Sequence, residues 1–508
     1  MRKFLLIVFV IAANAACLSS PGARDVWQSN VRPPAVAGQF YPASPEKLRQ
    51  AILSFIKDAV PARAEKPVAI VVPHAGYIFS GQIIADAYRQ AMGRKYEVVV
   101  IPGTNHTAQN FSRISVYSGS AFRTPLGDAQ VDKPVAAALL AKDKDCTADD
   151  GPHRREHSVE VQVPFIQVLF PEAHIVPVVI GEPALSMCSR FGQTLAEVLK
   201  DRQALIVASS DLSHYPDYKD AAAVDRLTLE TIAGLDTMRI SSLMRNLNVP
   251  NLDTRACGEA AILVAVTAAR ALGATRAVIA GYANSGDIPV GDRSRTVGYG
   301  SVVLAHGSAP SNTAALNRPT PPSAASPLQF SEKKVLLAFA RETITRYLTT
   351  QTVPLARSFP ARMEFRQGVF VTLRKAGQLR GCIGHMAEDI ELGKAVGAMA
   401  LQSAFNDPRF PPVELSEVNS LEIEISVLTP LKSIPNFEQI VVGRDGVLMS
   451  KSGTSAVFLP QVAVENHWNR SQMLDNLCIK AGLQSGCWKR DAQFQVFQAD
   501  VFGESQVK

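Results

Sequence analysis

At 508 residues and a formal net charge of +6, the chain is too long for a single hydrophobic core, and two or three domains are expected. The basic excess is spread thinly, with no Lys/Arg block and no basic stripe interleaved with aromatic residues, which argues against nucleic-acid binding. A chain of this length needs neither disulfides nor metal merely to stay folded.

In chain order, Arg2 and Lys3 precede the apolar run FLLIVFVIAA, which is followed by small residues and Cys17. Residues 1–17 therefore read as an export signal, either cleaved near Ala13-Asn14-Ala15 or kept as a lipoprotein segment anchored through Cys17. The run is too short for an ordinary spanning helix, so membrane contact is expected only through a lipid anchor. The expected location is periplasmic or membrane-anchored.

From residue 32 to 306, short Val/Ile-rich runs alternate with helical patterns. VAIVV is followed by GQIIADAYRQAM, EVVVI by a long loop, HIVPVVIG by FGQTLAEVLK, and QALIVAS by another helical stretch. Continuous apolar strands between amphipathic helices predict an α/β domain with a mostly parallel or mixed sheet covered on both faces.

Ligands of open α/β sheets collect beyond the carboxyl ends of the strands. His74 follows VAIVV and His106 follows EVVVIPGTN; Asp211 and His214 follow LIVASS, and Asn284 with Asp287 follow AVIAGY. Cys257 precedes a long apolar helix, whose positive end favours a thiolate. One thiolate with two imidazoles suits zinc, iron or copper and not magnesium or calcium. Each of these residues taken alone also fits a hydrogen-bonded turn or a buried core position.

The segment HRREH, His153 to His157, matches the H-x-x-E-H pattern of inverzincin proteases. That reading requires a helix, whereas Gly151-Pro152 precede the segment and VEVQVPF follows it, which leaves a metalloprotease as a remote alternative. Glu156, His157 and Glu160 are also candidates to support the strand-end site as partners or acid/base groups. The six cysteines beyond Cys17 show no CxxC pair and no regular spacing, so no disulfide framework is expected.

Residues 307–328, rich in Pro, Ser and Ala, offer no periodic apolar face and read as a linker. Residues 329–505 change character: GVFVTLRKAGQLRG, LEIEISVL and GVLMSKSGTSAVFL alternate with period two, and SEKKVLLAFARETITRYL and SQMLDNLCIKAGL are helical. Antiparallel hairpins with helices, an α+β domain, are predicted. In LRGCIG, Cys382 lies beside Arg380, which suggests either an accessible thiol in a positive setting or a small residue buried in a tight hairpin turn.

The blocks AVAGQFYP, VPHAGYIFSG, PGTNH, FRTPLGD, EHSVEVQVPF, SSDLSHY, ACGEAAI and GYANSGD, in this order, resemble the Memo family over residues 32–306. The resemblance implies the fold of the class III extradiol ring-cleaving dioxygenases. It also implies a mononuclear transition metal, iron or copper before zinc, on His74, His106 and Cys257, with Asp211 and His214 as catalytic neighbours. Ring-cleaving relatives hold iron with two histidines and a carboxylate, so a thiolate in its place does not imply ring cleavage.

LRGCIGHM, FNDPRFPPV, LEIEISVLTPL, DGVLM and LCIKAGL resemble the family named after the AMME syndrome candidate region. The fusion resembles the AmmeMemoRadiSam system, whose third component is a separate radical-SAM protein. The CxxxCxxC signature of such a protein is absent here. The expected function is metal-dependent redox chemistry on a small molecule or peptide; the alternative is a module that binds a peptide or modified side chain, with its metal structural or absent.

Overall fold

The computed structural model describes residues 31–307, apart from 183 and 290, and residues 328–507, apart from 356–358 and 360. The proposed signal segment, residues 1–17, and nearly all of the proposed linker lie outside the described residues. The chain divides into two compact units.

The strands of the first unit are β1 (Val31–Arg32), β2 (Pro67–Val72), β3 (Val98–Thr104), β4 (Ile114–Val116), β5 (Ala121–Thr124), β6 (Gly127–Gln130), β7 (Cys146–Thr147), β8 (His174–Ile180), β9 (Ala204–Ser209), β10 (Arg276–Asn284) and β11 (Gly298–Ala305). Its helices are α1 (Pro45–Lys57), α2 (Tyr77–Ala91), α3 (Lys133–Lys142), α4 (Val163–Leu169), α5 (Leu185–Leu199), α6 (Tyr218–Ala233), α7 (Thr237–Met244) and α8 (Glu259–Ala271). The main sheet has the order β10-β11-β2-β9-β3-β8-β4-β7.

The sheet is mixed. β2, β9, β3 and β8 run parallel, while β11 pairs antiparallel with β2 and β4 antiparallel with β8. Every residue of β2 is buried, as are all but the last of β3, which is the burial of strands covered on both faces. That covering is why VAIVV and EVVVI read as unbroken apolar runs. Helices α2 and α8 both pack against β2, and α5 packs on α8. A smaller sheet, β1-β5-β6, carries Arg32.

Local chemistry fixes the helix ends. Ser44 caps α1 by accepting from Lys47 N–H ahead of Pro45, and Asp217 caps α6 by accepting from Lys219 and Asp220. Because β2, β3 and β9 are parallel, their carboxyl ends share one rim, and the residues just beyond them are the first candidates for a site.

The second unit contains α9 (Phe330–Thr350), β12 (Val369–Lys375), β13 (Gln378–His385), α10 (Leu392–Phe405), β14 (Leu421–Leu428), β15 (Lys432–Ile434), β16 (Gly446–Lys451), β17 (Thr454–Phe458), α11 (Pro460–Glu465), α12 (Arg470–Lys480), β18 (Gln493–Phe497) and β19 (Ala499–Gly503). It forms two four-stranded antiparallel sheets, β13-β12-β14-β19 and β15-β18-β16-β17. The β12–β13 hairpin turns at Ala376-Gly377, where φ is +51° and +78°; two positive φ values in succession demand a residue such as glycine. Cys382 therefore lies inside β13 and not in the turn.

A disulfide joins Cys478 in α12 to Cys487. No helix among the described residues is long and apolar enough to cross a membrane.

Candidate metal centre

The strand-end rim gathers three of the predicted residues. His74, just past β2, His106, just past β3, and Cys257, just before α8, place one ligand atom each within 4.8 Å of one another. The Cys257 Sγ lies 3.2 Å from His74 Nε2. Gly258 makes this approach possible: a Cβ there would lie 2.5 Å from the Ser209 carbonyl oxygen, so no larger residue lets α8 begin so close to the end of β9.

The hydrogen bonds fix which nitrogen each imidazole presents. Ser209 Oγ donates its single proton to the Ser158 carbonyl at 2.6 Å and accepts from Gln162 Nε2 at 3.0 Å. Its remaining lone pair, 3.1 Å from His74 Nδ1, requires that nitrogen to carry the proton. The Nε2 lone pair of His74 is then directed at the Cys257 sulfur.

Glu156 does the same for His106. Its carboxylate accepts from the His106 N–H at 2.7 Å, from His106 Nδ1 at 2.9 Å and from the Ser158 N–H at 2.8 Å. Burial alone raises a carboxyl, but here the His106 hydrogen bond and charge outweigh it and hold Glu156 far below its ordinary range. An ionised acceptor at Nδ1 leaves His106 Nε2 as the open donor atom. This is the carboxylate–histidine arrangement that orients metal-binding imidazoles.

The charge balance points the same way. Burial, followed by the neighbouring His106 and His157, pushes His74 well below the usual histidine range. Burial, followed by Asp211, pushes the Cys257 thiol well above its own. The expectation that a helix start favours the Cys257 thiolate is corrected accordingly: Gly258 is the cap residue, and burial outweighs the helix end. A cation between the imidazoles and the sulfur reverses that penalty, because coordination deprotonates a thiol. The donor set thus fits a borderline-soft metal ion.

Asp211 and His214 flank this group in different ways. Asp211 Oδ1 accepts from the His74 and Ala75 N–H groups at 2.8 and 3.2 Å, and its Oδ2 is 4.0 Å from His74 Nε2. Burial raises its carboxyl above the ordinary value, with His214 opposing. His214 Nε2 is buried without a hydrogen-bond partner among the described residues. His157 stacks on His106 with ring centroids 4.6 Å apart and, with His106 and Glu156, forms a second group able to hold an ion.

Other predicted residues are engaged elsewhere. Glu160 forms a buried ion pair with Arg32 and accepts from Tyr41 OH and from the Ala35 and Val36 N–H groups, which occupies its carboxylate. Asn284 caps a short turn, and Asp287 bonds back to the Asn284 N–H and to Tyr218 OH. His153 does not join His157: it hydrogen-bonds Ser115 and packs against Tyr117 and Phe122, in a single 3-10 turn, Gly151–His153, and not in an α-helix. The inverzincin geometry is absent.

In the second unit, Arg380 pairs with Glu417 and with the Pro411 and Pro412 carbonyls, so it lends no charge to Cys382. The Cys382 thiol accepts from Thr372 Oγ1 at 3.4 Å, and burial pushes it up. The positive setting expected from Arg380 comes instead from Arg409 and Lys480, and burial outweighs both.

Sequence reasoning missed Ser209, Gln162 and Ser158, which set the His74 tautomer. Ser209 alone carried a signal, as the last residue of the strand ahead of Asp211.

With this geometry in place, comparison with known proteins gives the lineage. Residues 32–303 match the family described as Memo-like protein, and residues 337–502 match AMMECR1. A MEMO1 family protein of Aquifex aeolicus is 38% identical over 270 residues, covering 53% of this chain and 97% of that protein. One from Methanopyrus kandleri is 36% identical over 292 residues, covering 54% and 99%. Among solved structures, an uncharacterized protein from Pyrococcus horikoshii is 37% identical, covers 35% of this chain and 94% of its own, and has a TM-score of 0.34. An uncharacterized protein from Escherichia coli K12 is 14% identical, covers 47% of this chain and 100% of its own, and has a TM-score of 0.33. The chain belongs to the Memo-like family, with an AMMECR1 domain following its Memo-like unit.

Proposed function

We propose that the Memo-like unit is a metal-dependent oxidoreductase built on a dioxygenase-like fold, holding one iron or copper ion on His74, His106 and Cys257. The observation that supports this most is the fixing of both imidazoles as Nδ1–H tautomers by Ser209 and Glu156, which leaves two Nε2 lone pairs beside a thiol. His74, His106 and Cys257 would hold the ion, and a redox-active ion bound there would supply electron transfer to or from a substrate in the crevice. Asp211 and His214 hold and move protons at the rim, Asp211 through Oδ2 and His214 through its unpartnered Nε2. The substrate class is a small molecule or peptide, the AMMECR1 domain is accessory, and a separate radical-SAM protein is the expected partner.

Metal analysis of the pure protein tests the reading. One equivalent of iron or copper per chain is expected; a protein that stays metal-free in replete medium yet binds peptide overturns it in favour of a binding module.

We also infer export to an oxidising compartment. The Cys478–Cys487 disulfide supports it, since such bonds persist mainly outside the reducing cytosol. Mass spectrometry of native material is expected to find the signal segment removed, or Cys17 lipidated; an intact Met1 terminus overturns the inference.

A further inference from the structure

The amino ends of the same parallel strands carry a second feature, remote from the metal residues. Pro67 and Val68 open β2, Ala204 opens β9, and Lys95-Tyr96 lead into β3; together they border a groove of about 610 Å³. Lys66, Arg94, Lys95, Lys200 and Arg202 line it, and no Asp or Glu does.

Arg202 is neutralised by Glu97 at 3.2 Å and Asp132 at 2.9 Å. The other four cations make no ion pair among the described residues. These four are exposed side chains, and a concavity lined by cations of one sign favours an anion over a cation. Val68, Leu199 and Leu272 give the groove an apolar wall, and His306 closes one side, its N–H 3.4 Å from the Lys66 carbonyl.

We propose that this groove binds a phosphate-bearing polyanion. A phosphate offers several acceptor oxygens and more than one charge, which suits several unpaired Lys and Arg donors at once. The apolar wall accommodates a non-polar part of the same ligand. The groove lies at the opposite end of the strands from His74, His106 and Asp211, so this site stands whether or not the metal centre is redox-active.

The test uses the full chain and inorganic triphosphate, followed by isothermal calorimetry. One site per chain is expected, weakening as salt screens it. The variant Lys66→Ala/Arg94→Ala/Lys200→Ala is expected to lose about tenfold or more in affinity. Arg49→Ala/Lys57→Ala/Arg226→Ala, which removes the same charge from exposed positions elsewhere, is expected to bind as the parent does. Thermal unfolding of both variants confirms that they fold.

A second arm separates the two sources of such a ligand. Co-sedimentation with phosphatidylglycerol vesicles that depends on the groove residues assigns the phosphate to a lipid headgroup; triphosphate binding without co-sedimentation assigns it to a soluble molecule. Absence of triphosphate binding, or equal loss in both triple variants, overturns the proposal.

Discussion

Cys257 and Cys382 are both half-buried thiols beside polar groups, yet their surroundings are opposite in kind. Around Cys382 most of the charges are paired: Arg380 meets Glu417, and Asp407 meets Arg409 at 2.7 Å, while Lys480 donates to the Val457 carbonyl. Around Cys257 the Glu156–His106 pair cancels locally, but the other groups do not. His74, His157 and His214 are all pushed below the ordinary histidine range by burial, Asp211 and Cys257 are pushed up by it, and His214 Nε2 has no partner. A region whose ions are mostly paired has little call for a ligand, whereas one that leaves several buried chargeable groups unrelieved suits a charge that comes from outside.

Breaking the second region is expected to have the largest effect. Cys257→Ser replaces a soft anionic donor with a neutral hydroxyl and is expected to weaken metal binding about a thousandfold, or about 4 kcal/mol, in chelator competition. Unfolding should be almost unchanged, because the substitution barely alters volume.

Asp225 sharpens the comparison with a buried acid that its neighbouring cation, Arg255, relieves only in part. Burial pushes its carboxyl up to about 7, although Ser213 N–H and Tyr282 OH donate to it at 2.9 and 3.0 Å. The folded chain then keeps a proton that the unfolded chain has released. Its contribution to stability is full below about pH 4, falls as pH rises, and is gone above about pH 7. Asp225→Asn mimics the protonated form and is expected to flatten that slope, leaving the variant more stable above neutrality by roughly 2–4 kcal/mol in urea unfolding.

Glu156→Gln keeps an acceptor at His106 Nδ1 but removes its charge. About a tenfold loss of metal affinity is expected, with the ion still bound. At the bottom of the scale, Cys382→Ser should leave metal uptake untouched and shift unfolding by less than about 1 kcal/mol. A large metal effect from Cys382, or none from Cys257, would break the contrast between the two thiols.

The sequence revealed the parts of the molecule that are local. Strands buried on both faces announce themselves as unbroken Val/Ile runs, so β2, β3, β8 and β9 were legible, and the residues after β2, β3 and β9 followed from a general rule about strand ends. Contacts across the fold left no trace. The Arg32–Glu160 pair spans 128 residues and the His106–Glu156 pair 50, so Glu160 could be placed near the site by its neighbours in sequence while its carboxylate in fact turns to Arg32. Cys382 was legible as a residue of interest but not as a strand interior, because LRGCIG holds two glycines and the true turn, Ala376-Gly377, lies just upstream. The Cys478–Cys487 bond had no signal, since a spacing of nine residues marks no pattern.

The route by which the metal ligands come together has a consequence for maturation. His74, after β2, and Cys257, before α8, are 183 residues apart, and His106 follows a third element, β3. A nascent chain must grow as far as Cys257 before it holds all three residues, and an ion held there would staple a very long loop. Capture of the proposed ion would therefore follow closure of the sheet. If the chain is exported unfolded, as proposed above, it carries no ion with it, and the metal it would acquire is chosen by the compartment in which it folds and not by the one in which it is made.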